Sequence, residues 1–136
     1  MIVTDTNTIA YLYLPSDYSD DVENLLTQDA DWIAPLLWRS ELRNILALYM
    51  RNGLISFGDA VDVQQQAEVL MDGNEYEISS LEVLQIANDS GSSAYDSEFV
   101  CLAKNTESKL ITADKKILKA FPKIAFTAKD FLASEF

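Results

Sequence analysis

The stretch from Ser93 to Lys116 predicts a helix, a polar turn and a buried strand, and this order constrains the fold more than any other part of the sequence. Ser93 is expected to cap the helix, whose apolar face is formed by Tyr95, Phe99, Leu102 and Ala103. The apolar run from Leu110 to Ala113 is typical of a buried strand, and Asp114 ends it. Because a helix that leads into a parallel strand starts at the edge where that strand ends, we expect Asp96 and Asp114 to lie close together.

The same order of strand, acid and helix recurs at the N-terminus, where the β-prone run from Met1 to Thr4 precedes Asp5 and a short helical pattern. Trp32 to Ala34 predicts a second strand. Leu36 to Asn52 is the strongest helical pattern in the chain, with Glu41 in its early turns. The alternation of strands and helices predicts a single domain over residues 1–136, built as a three-layer α/β/α sandwich with a mostly parallel central sheet.

Capping and turn residues predict the remaining elements. A helix is expected to follow a cap at Ser19 or Asp20, and others are expected to begin after Ser56 and after Ser79. A half-exposed strand is predicted from Glu75 to Ser79. The C-terminal region is expected to contain a helix and then a strand, at Lys115 to Phe121 and Ile124 to Phe126.

The chain has no histidine and a single cysteine, Cys101, which limits the chemistry available to it. Nucleophilic catalysis of the Ser-His or Cys-His type is excluded, and so are the usual zinc ligand sets. Cys101 falls on the apolar side of its helix and is expected to be buried. No apolar run is long enough to cross a bilayer and the N-terminus lacks a basic start, so we expect a cytoplasmic protein without a membrane segment.

Connection handedness and edge rules bring four acids to one edge of the predicted sheet: Asp5, Glu41, Asp96 and Asp114. Carboxylates this close repel one another and are tolerated at neutral pH only when they are protonated or neutralised by cations. Oxygen ligands alone favour Mg²⁺ or Mn²⁺ over zinc. Such a cation acidifies a water molecule and stabilises charge on phosphate oxygens, so the pattern predicts a metal-dependent hydrolase acting on phosphodiester bonds.

Four segments resemble the motifs of PIN domains, and specifically of VapC-type toxin ribonucleases. They are V-T-D-T-N at 3–7, W-R-S-E-L-R-N at 38–44, Y-D-S-E-F-V-C-L-A at 95–103 and T-A-D-K-K-I at 112–117. The resemblance covers nearly the whole chain and implies an endoribonuclease that cleaves RNA by Mg²⁺-activated water. Its catalytic metal-binding acids would be Asp5, Glu41, Asp96 and Asp114, supported by Asn7 and Thr112. It further implies a homodimer and a small inhibitory antitoxin encoded beside the toxin.

The charge distribution bears on this implied RNA substrate, because phosphate binding depends on Lys and Arg. The formal net charge is −12, but the segment from Lys104 onward holds seven lysines against four acids. We expect a local positive rim formed by Lys115, Lys116, Arg39 and Arg43. Lys115 and Lys116 stand where some PIN domains carry a further acid, which argues against a second metal.

Other functions fit parts of the same pattern. Asp96 can serve the helix dipole, Asp114 can cap the next helix, and Glu41 can pair with a nearby arginine. The chain could then be a cation-binding α/β module that docks partners. An aspartyl-phosphate phosphotransfer domain would use Asp5 as the acceptor, but the dehalogenase-like pattern wants an acid where Asn7 stands, and the acid pair of receiver domains is not found.

Overall fold

Five short strands form one sheet in which every neighbouring pair is parallel. The computed structural model describes residues 1–134. The strands are β1 Ile2–Thr4, β2 Trp32–Pro35, β3 Glu75–Tyr76, β4 Leu110–Ile111 and β5 Ala125–Phe126. Their order across the sheet is β3-β2-β1-β4-β5, which confirms the predicted parallel arrangement.

Eight helices connect and follow these strands in the described residues. They are α1 Thr6–Ala10, α2 Ser19–Gln28, α3 Trp38–Arg51, α4 Phe57–Leu70, α5 Ser80–Ser90, α6 Ala94–Asn105, α7 Lys115–Ala120 and α8 Ala128–Ala133. The sequence reasoning did not predict α8. The predicted caps at Ser56, Ser79 and Ser93 are confirmed, since each serine hydroxyl accepts a backbone N–H from the first turn of its helix.

The start of α2 was predicted wrongly. Its N-cap is Tyr18, which makes no capping hydrogen bond, and Ser19 is the first helical residue. The Ser19 hydroxyl instead donates to the carbonyl of Tyr11 at 2.8 Å and accepts the N–H of Ser16 at 3.0 Å. Ser19 therefore closes the preceding loop, and its oxygen is not available to the helix.

Three further corrections concern two strands and the exposed start of α6. Strand β3 ends at Tyr76, well before the predicted Ser79, because Ser79 has already left the sheet to cap α5. Likewise β4 covers only Leu110–Ile111 of the predicted run. Tyr95 does not share the buried face of α6: it lies in the first turn of the helix and is 63% exposed.

The sheet order explains how the chain covers both faces. From the central strand β1 the chain moves outward to β2 and β3, then crosses to β4 and β5 on the other side of β1. Because parallel connections are almost always right-handed, connections that run in opposite directions place helices on opposite faces, in agreement with the predicted three-layer sandwich. Helix α6 packs across β1, β2 and β4 with Cys101 buried, and α5 packs on α6.

The reversal of strand order falls between β1 and β4. Open parallel sheets form a crevice at this position, outside the carboxyl ends of the strands. Within residues 1–134 no helix is both long and apolar enough to cross a membrane.

Candidate active site

A cavity of about 410 Å³ opens at the carboxyl edge of the sheet, beside the ends of β1 and β4. Four carboxylates from separate elements line it: Asp5, Glu41, Asp96 and Asp114. Asp5 directly follows β1 and Asp114 precedes α7, whereas Glu41 and Asp96 lie in the first turns of α3 and α6. The convergence expected from the sequence is therefore present in the fold.

Asp5 is held by the helix that it caps. Its Oδ1 accepts the backbone N–H of Thr8 at 2.8 Å and the Thr8 hydroxyl at 2.6 Å. Burial raises the pKa of Asp5 above its ordinary value, and hydrogen bonds from Thr112 and Thr8 offset part of that rise. The negative charge of Asp114 raises the pKa of Asp5 further.

Glu41 points into the cavity from α3 and is held by a threonine of α1. Its Oε1 accepts the hydroxyl of Thr6 at 2.7 Å. Burial is the main cause that raises the pKa of Glu41, and the Thr6 hydrogen bond opposes it. The charges of Asp96, Asp5 and Glu98 raise this pKa further, so Glu41 is surrounded by acids.

Asp96 and Asp114 combine a structural contact with a place in the cavity. The N–H of Asp96 donates to the cap Ser93, and Asp114 Oδ1 accepts the N–H groups of Lys116 and Ile117 at 2.8 and 3.2 Å. Burial raises the pKa of Asp96, and so does the charge of Asp114, while Ser93 and Lys116 lower it. The structural interpretation weighed from the sequence is thus correct for Asp114, which also lines the cavity.

Each of the four carboxylates repels two of the others. Asp114 raises the pKa of both Asp5 and Asp96, and Asp5 and Asp96 each raise the pKa of Glu41. No lysine or arginine of the described residues lines the cavity. The negative charge of the site is therefore poorly balanced by the protein itself.

The donors fit a hard divalent cation in their chemistry, since every acidic ligand candidate supplies carboxylate oxygens. Among residues 1–134, no three acidic or cysteine side chains are grouped closely enough to form a finished metal site. The acids therefore share a cavity and a charge imbalance, but their side chains are not arranged as a completed ligand shell. Asp5, Glu41, Asp96 and Asp114 are the residues that would hold the cation.

The two supporting residues lie on opposite sides of this cavity wall. Asn7 is exposed and lines the cavity. Thr112 is buried behind it, where its Oγ1 accepts the N–H of Asp114 at 3.0 Å and its hydroxyl lowers the pKa of Asp5. Thr112 thus connects the loops that carry Asp5 and Asp114.

The four basic residues expected at the rim are not equivalent. Arg39 points away, because its guanidinium pairs with Glu75 and Glu68. Arg43 is exposed and donates from Nη2 to the Ser40 hydroxyl at 3.0 Å. Lys115 and Lys116 are exposed at the start of α7, and Lys116 is near enough to Asp96 to lower its pKa.

Several cavity residues were missed from the sequence. Ser40 and Asn44 line the cavity beside Glu41. Asn44 lies four positions after Ser40 and three after Glu41, which could have identified one helix face. Thr6, which lines the cavity and holds Glu41, was treated only as a helix residue, and so was Thr8, which lies outside the cavity lining and holds Asp5. Tyr95 was assigned to the core and instead lines the cavity opening.

Comparisons with known proteins agree with this architecture. The model of the PIN domain family matches residues 2–126. Ribonuclease VapC3 of Pyrobaculum aerophilum is 29% identical over 134 residues, covering 89% of this chain and 95% of that protein.

Solved structures show the same fold. The crystal structure of PAE2754 from Pyrobaculum aerophilum superposes with a TM-score of 0.76 at 20% identity, covering 97% of this chain and 93% of that chain. FitAcB from Neisseria gonorrhoeae gives 0.71 at 20% identity and covers 95% and 99% of the two chains. A toxin-antitoxin complex from Klebsiella pneumoniae gives 0.66 at 16% identity, with 94% and 98% covered. With the family match spanning almost all of the described residues, the chain belongs to the PIN domain family.

Proposed function

We propose that this protein is a divalent-cation-dependent endoribonuclease that hydrolyses RNA phosphodiester bonds, and that it is the toxin of a toxin-antitoxin pair. The observation that carries the proposal is the group of four repelling carboxylates around one cavity, which the protein leaves without a basic partner inside. Membership of the PIN family and the ribonuclease name of the VapC3 relative support this reaction class. The proposed place of action is the cytoplasm, where RNA substrate is available.

The proposed cofactor is Mg²⁺ or Mn²⁺, held by Asp5, Glu41, Asp96 and Asp114. When bound, such a cation supplies an acidified water and stabilises negative charge on phosphate oxygens. The raised pKa values of Asp5, Glu41 and Asp96 mean that these acids gain most from a neutralising cation near neutral pH.

The surrounding polar groups set the orientation of these acids. Thr8 holds Asp5, Thr6 holds Glu41, and Thr112 stands between the loops of Asp5 and Asp114. Such contacts restrict the carboxylate rotamers before any substrate arrives, which lowers the ordering cost of binding. Thr112 is proposed as a supporting residue in this sense.

Polar side chains at the cavity opening can meet the substrate. Asn7, Ser40 and Asn44 offer amide and hydroxyl groups that can donate to phosphate or ribose oxygens. Outside the opening, Lys115, Lys116 and Arg43 are exposed cations that can meet the neighbouring phosphates. Arg39 is a weaker candidate, because Glu75 and Glu68 already neutralise it.

The proposed partners are an antitoxin protein and a second copy of the chain. The Klebsiella neighbour is described as a toxin-antitoxin complex, and another neighbour is FitAB bound to a DNA fragment. Large apolar side chains exposed on α4 and α5 would gain from being covered by a partner: Phe57, Val69, Leu81 and Leu84.

The proposal is tested by incubating purified protein with labelled RNA in Mg²⁺, in Mn²⁺ and in excess chelator. We expect internal cleavage with either cation and none with chelator, and loss of cleavage in Asp5→Asn protein that still folds. Full cleavage in chelator would reject the cation mechanism. A Cys101→Ser variant provides a control, because the buried thiol has no part in the reaction.

The toxin assignment needs a separate experiment in cells. Expression of the chain alone is expected to arrest growth, and co-expression of the small protein encoded beside it is expected to restore growth. Growth arrest that persists in Asp5→Asn protein would show that toxicity does not depend on the acidic cavity. Absence of any arrest, together with cleavage in vitro, would favour a nuclease outside a toxin-antitoxin pair.

A further inference from the structure

Helix α3 carries two cavity residues, Ser40 and Glu41, on a first turn that has no side-chain cap. Its N-cap is Leu37, which is itself in a helical conformation and makes no capping hydrogen bond. The helices that carry Asp96 and follow Asp5 and Asp114 each begin with a side chain that accepts a backbone N–H of the first turn. The first turn of α3 therefore lacks the side-chain restraint that those three helices have.

Glu75 supplies a restraint on this turn from outside the helix. Its Oε2 accepts the indole N–H of Trp38 at 2.8 Å and the Arg39 Nε–H at 2.5 Å, and its Oε1 accepts the Arg39 Nη2–H at 2.6 Å. The carboxylate is thus bound by both of the first two residues of α3. The Glu75 side chain is only 13% exposed, so these are shielded and well-defined interactions.

The strand that carries Glu75 is also fixed to the chain entering α3. Glu75 stands opposite Ala34 in the pairing of β3 with β2, and the N–H of Leu36 donates to the carbonyl of Tyr76 at 3.0 Å. The backbone of β3 therefore holds the chain just before α3, and the side chain of Glu75 holds the first two residues of α3. Glu68 on α4 adds a further contact to Nη1 of Arg39 at 2.8 Å.

We propose that Glu75 is a positioning residue for the acidic cavity: by binding Trp38 and Arg39 it fixes the first turn of α3 and thereby the location of Glu41. Glu75 does not line the cavity, so it acts only through α3. The positioning role rests on the proposed function only where cation binding is measured. The experiments below distinguish a failure of the positioning role from a failure of the proposed function.

The direct test is hydrogen exchange of metal-free protein, followed by NMR, in Glu75→Gln and in Arg39→Gln. The amides of residues 41–43 are expected to exchange about tenfold faster in both variants, while those of residues 49–51 at the other end of α3 keep their rates. Glutamine at position 75 still accepts the Trp38 N–H, which favours retention of the fold. Glu77→Gln is the matched control, because Glu77 is an exposed acid two positions further on.

A second measurement follows Mn²⁺ binding by titration calorimetry. Glu75→Gln is expected to weaken Mn²⁺ binding about tenfold, as for other groups that orient metal ligands, and cleavage is expected to recover at saturating Mn²⁺. A uniform loss of stability would not produce this split between cation affinity and saturated rate. Glu77→Gln is expected to bind Mn²⁺ like the unaltered protein.

The outcomes distinguish the two proposals. Unchanged exchange at residues 41–43 in both variants would overturn the positioning role, whatever the RNA assays give. Unchanged Mn²⁺ affinity in Glu75→Gln would overturn the effect on the cavity. If the unaltered protein binds no Mn²⁺, the proposed function fails, and amide exchange alone decides whether Glu75 positions α3.

Discussion

Two groups of partly buried carboxylates meet along α3, and their electrostatics are opposite. Glu75 is bound by Arg39, whose hydrogen bond is the main cause that lowers the pKa of Glu75. Two positions after Arg39, Glu41 faces other acids, and burial raises its pKa. The same helix turn therefore joins a balanced ion-pair network to an unbalanced acidic cavity.

The difference between the two groups shows that the uncompensated negative charge lies in the cavity. Burial disfavours ionised carboxylates in both groups, but Arg39 compensates Glu75 and Glu68 through ion pairs, whereas in the cavity the nearby Lys116 only partly offsets the raised pKa of Asp96. The raised pKa values at Asp5, Glu41 and Asp96 identify groups that cost stability when ionised. Perturbed groups in a cavity are candidates for function, whereas the Glu75 network is explained by structure.

The largest expected effect tests whether the unbalanced acids perform chemistry. Asp96→Asn is expected to reduce RNA cleavage at least about 100-fold, since even groups that only orient metal ligands cost 10- to 100-fold. Asp59→Asn is the matched control: Asp59 also follows a serine cap by three positions but lies far along the chain on exposed α4. The RNA cleavage rates of the two variants are compared. Equal losses would mean that removing an acid from the first turn of a helix is enough to reduce cleavage, and that Asp96 has no special part in the chemistry.

A smaller effect is expected from breaking the balanced network. Arg39→Gln is expected to lower the free energy of unfolding by about 1–2 kcal/mol at pH 7, between the values for exposed and buried pairs. The folded pKa of Glu75 lies below its unfolded value, so its stabilisation is present above the unfolded pKa and is lost as pH falls through the folded pKa. Urea unfolding should therefore show a smaller loss at acidic pH. A loss that does not change with pH would contradict an electrostatic origin.

The unbalanced acids are expected to behave in the opposite way. The pKa of Asp5 is raised in the folded protein, so its protonated carboxyl group favours the folded state. This contribution to the free energy of unfolding is present below the unfolded pKa and is lost as pH rises through the folded pKa. Asp5→Asn should therefore raise the melting temperature of metal-free protein at pH 7 and bring little change near pH 4. The exposed Asp62 provides the control as Asp62→Asn. A lower melting temperature at pH 7 would mean that Asp5 capping outweighs its repulsion.

The smallest effect concerns the two lysines after Asp114. Lys116→Gln is expected to raise the KM for RNA about two- to fivefold, the scale of one exposed charge contact. Lys115→Gln is the comparison, since only Lys116 affects the pKa of Asp96. Steady-state cleavage at several salt concentrations measures both. Equal changes would mean that the two lysines act as general positive charge.

Sequence patterns were sufficient for the fold class, a mostly parallel α/β sandwich, and for the placement of the four acids around one cavity. Capping residues such as Ser56, Ser79 and Ser93 mark helix starts through local hydrogen bonds, so no knowledge of distant contacts is needed. The acids follow from the edge rule, because Asp5 and Asp114 come after strands that are neighbours in the sheet. Their roles in binding a cation and RNA remain predictions.

The errors arose where long-range contacts override local pattern. Ser19 looks like a cap, but its hydroxyl bonds to Tyr11 in the preceding loop. Arg39 looks like a free cation near Glu41, but Glu75 lies 36 positions away in sequence and takes it into an ion pair. Tyr95 fits a helical apolar stripe, yet its place in the first turn of α6 puts it beside the open cavity, where it is exposed.

The capping bonds of α1 and α7 have a stereochemical consequence for cation geometry. In both Asp5 and Asp114, Oδ1 accepts the backbone bonds of the helix cap, which leaves Oδ2 as the oxygen not used by the cap. Were a cation bound, Oδ2 of each acid would be the oxygen that the cap leaves to it. Replacing either aspartate by glutamate would keep the charge but move the carboxylate away from the N–H groups that it caps at the start of the helix.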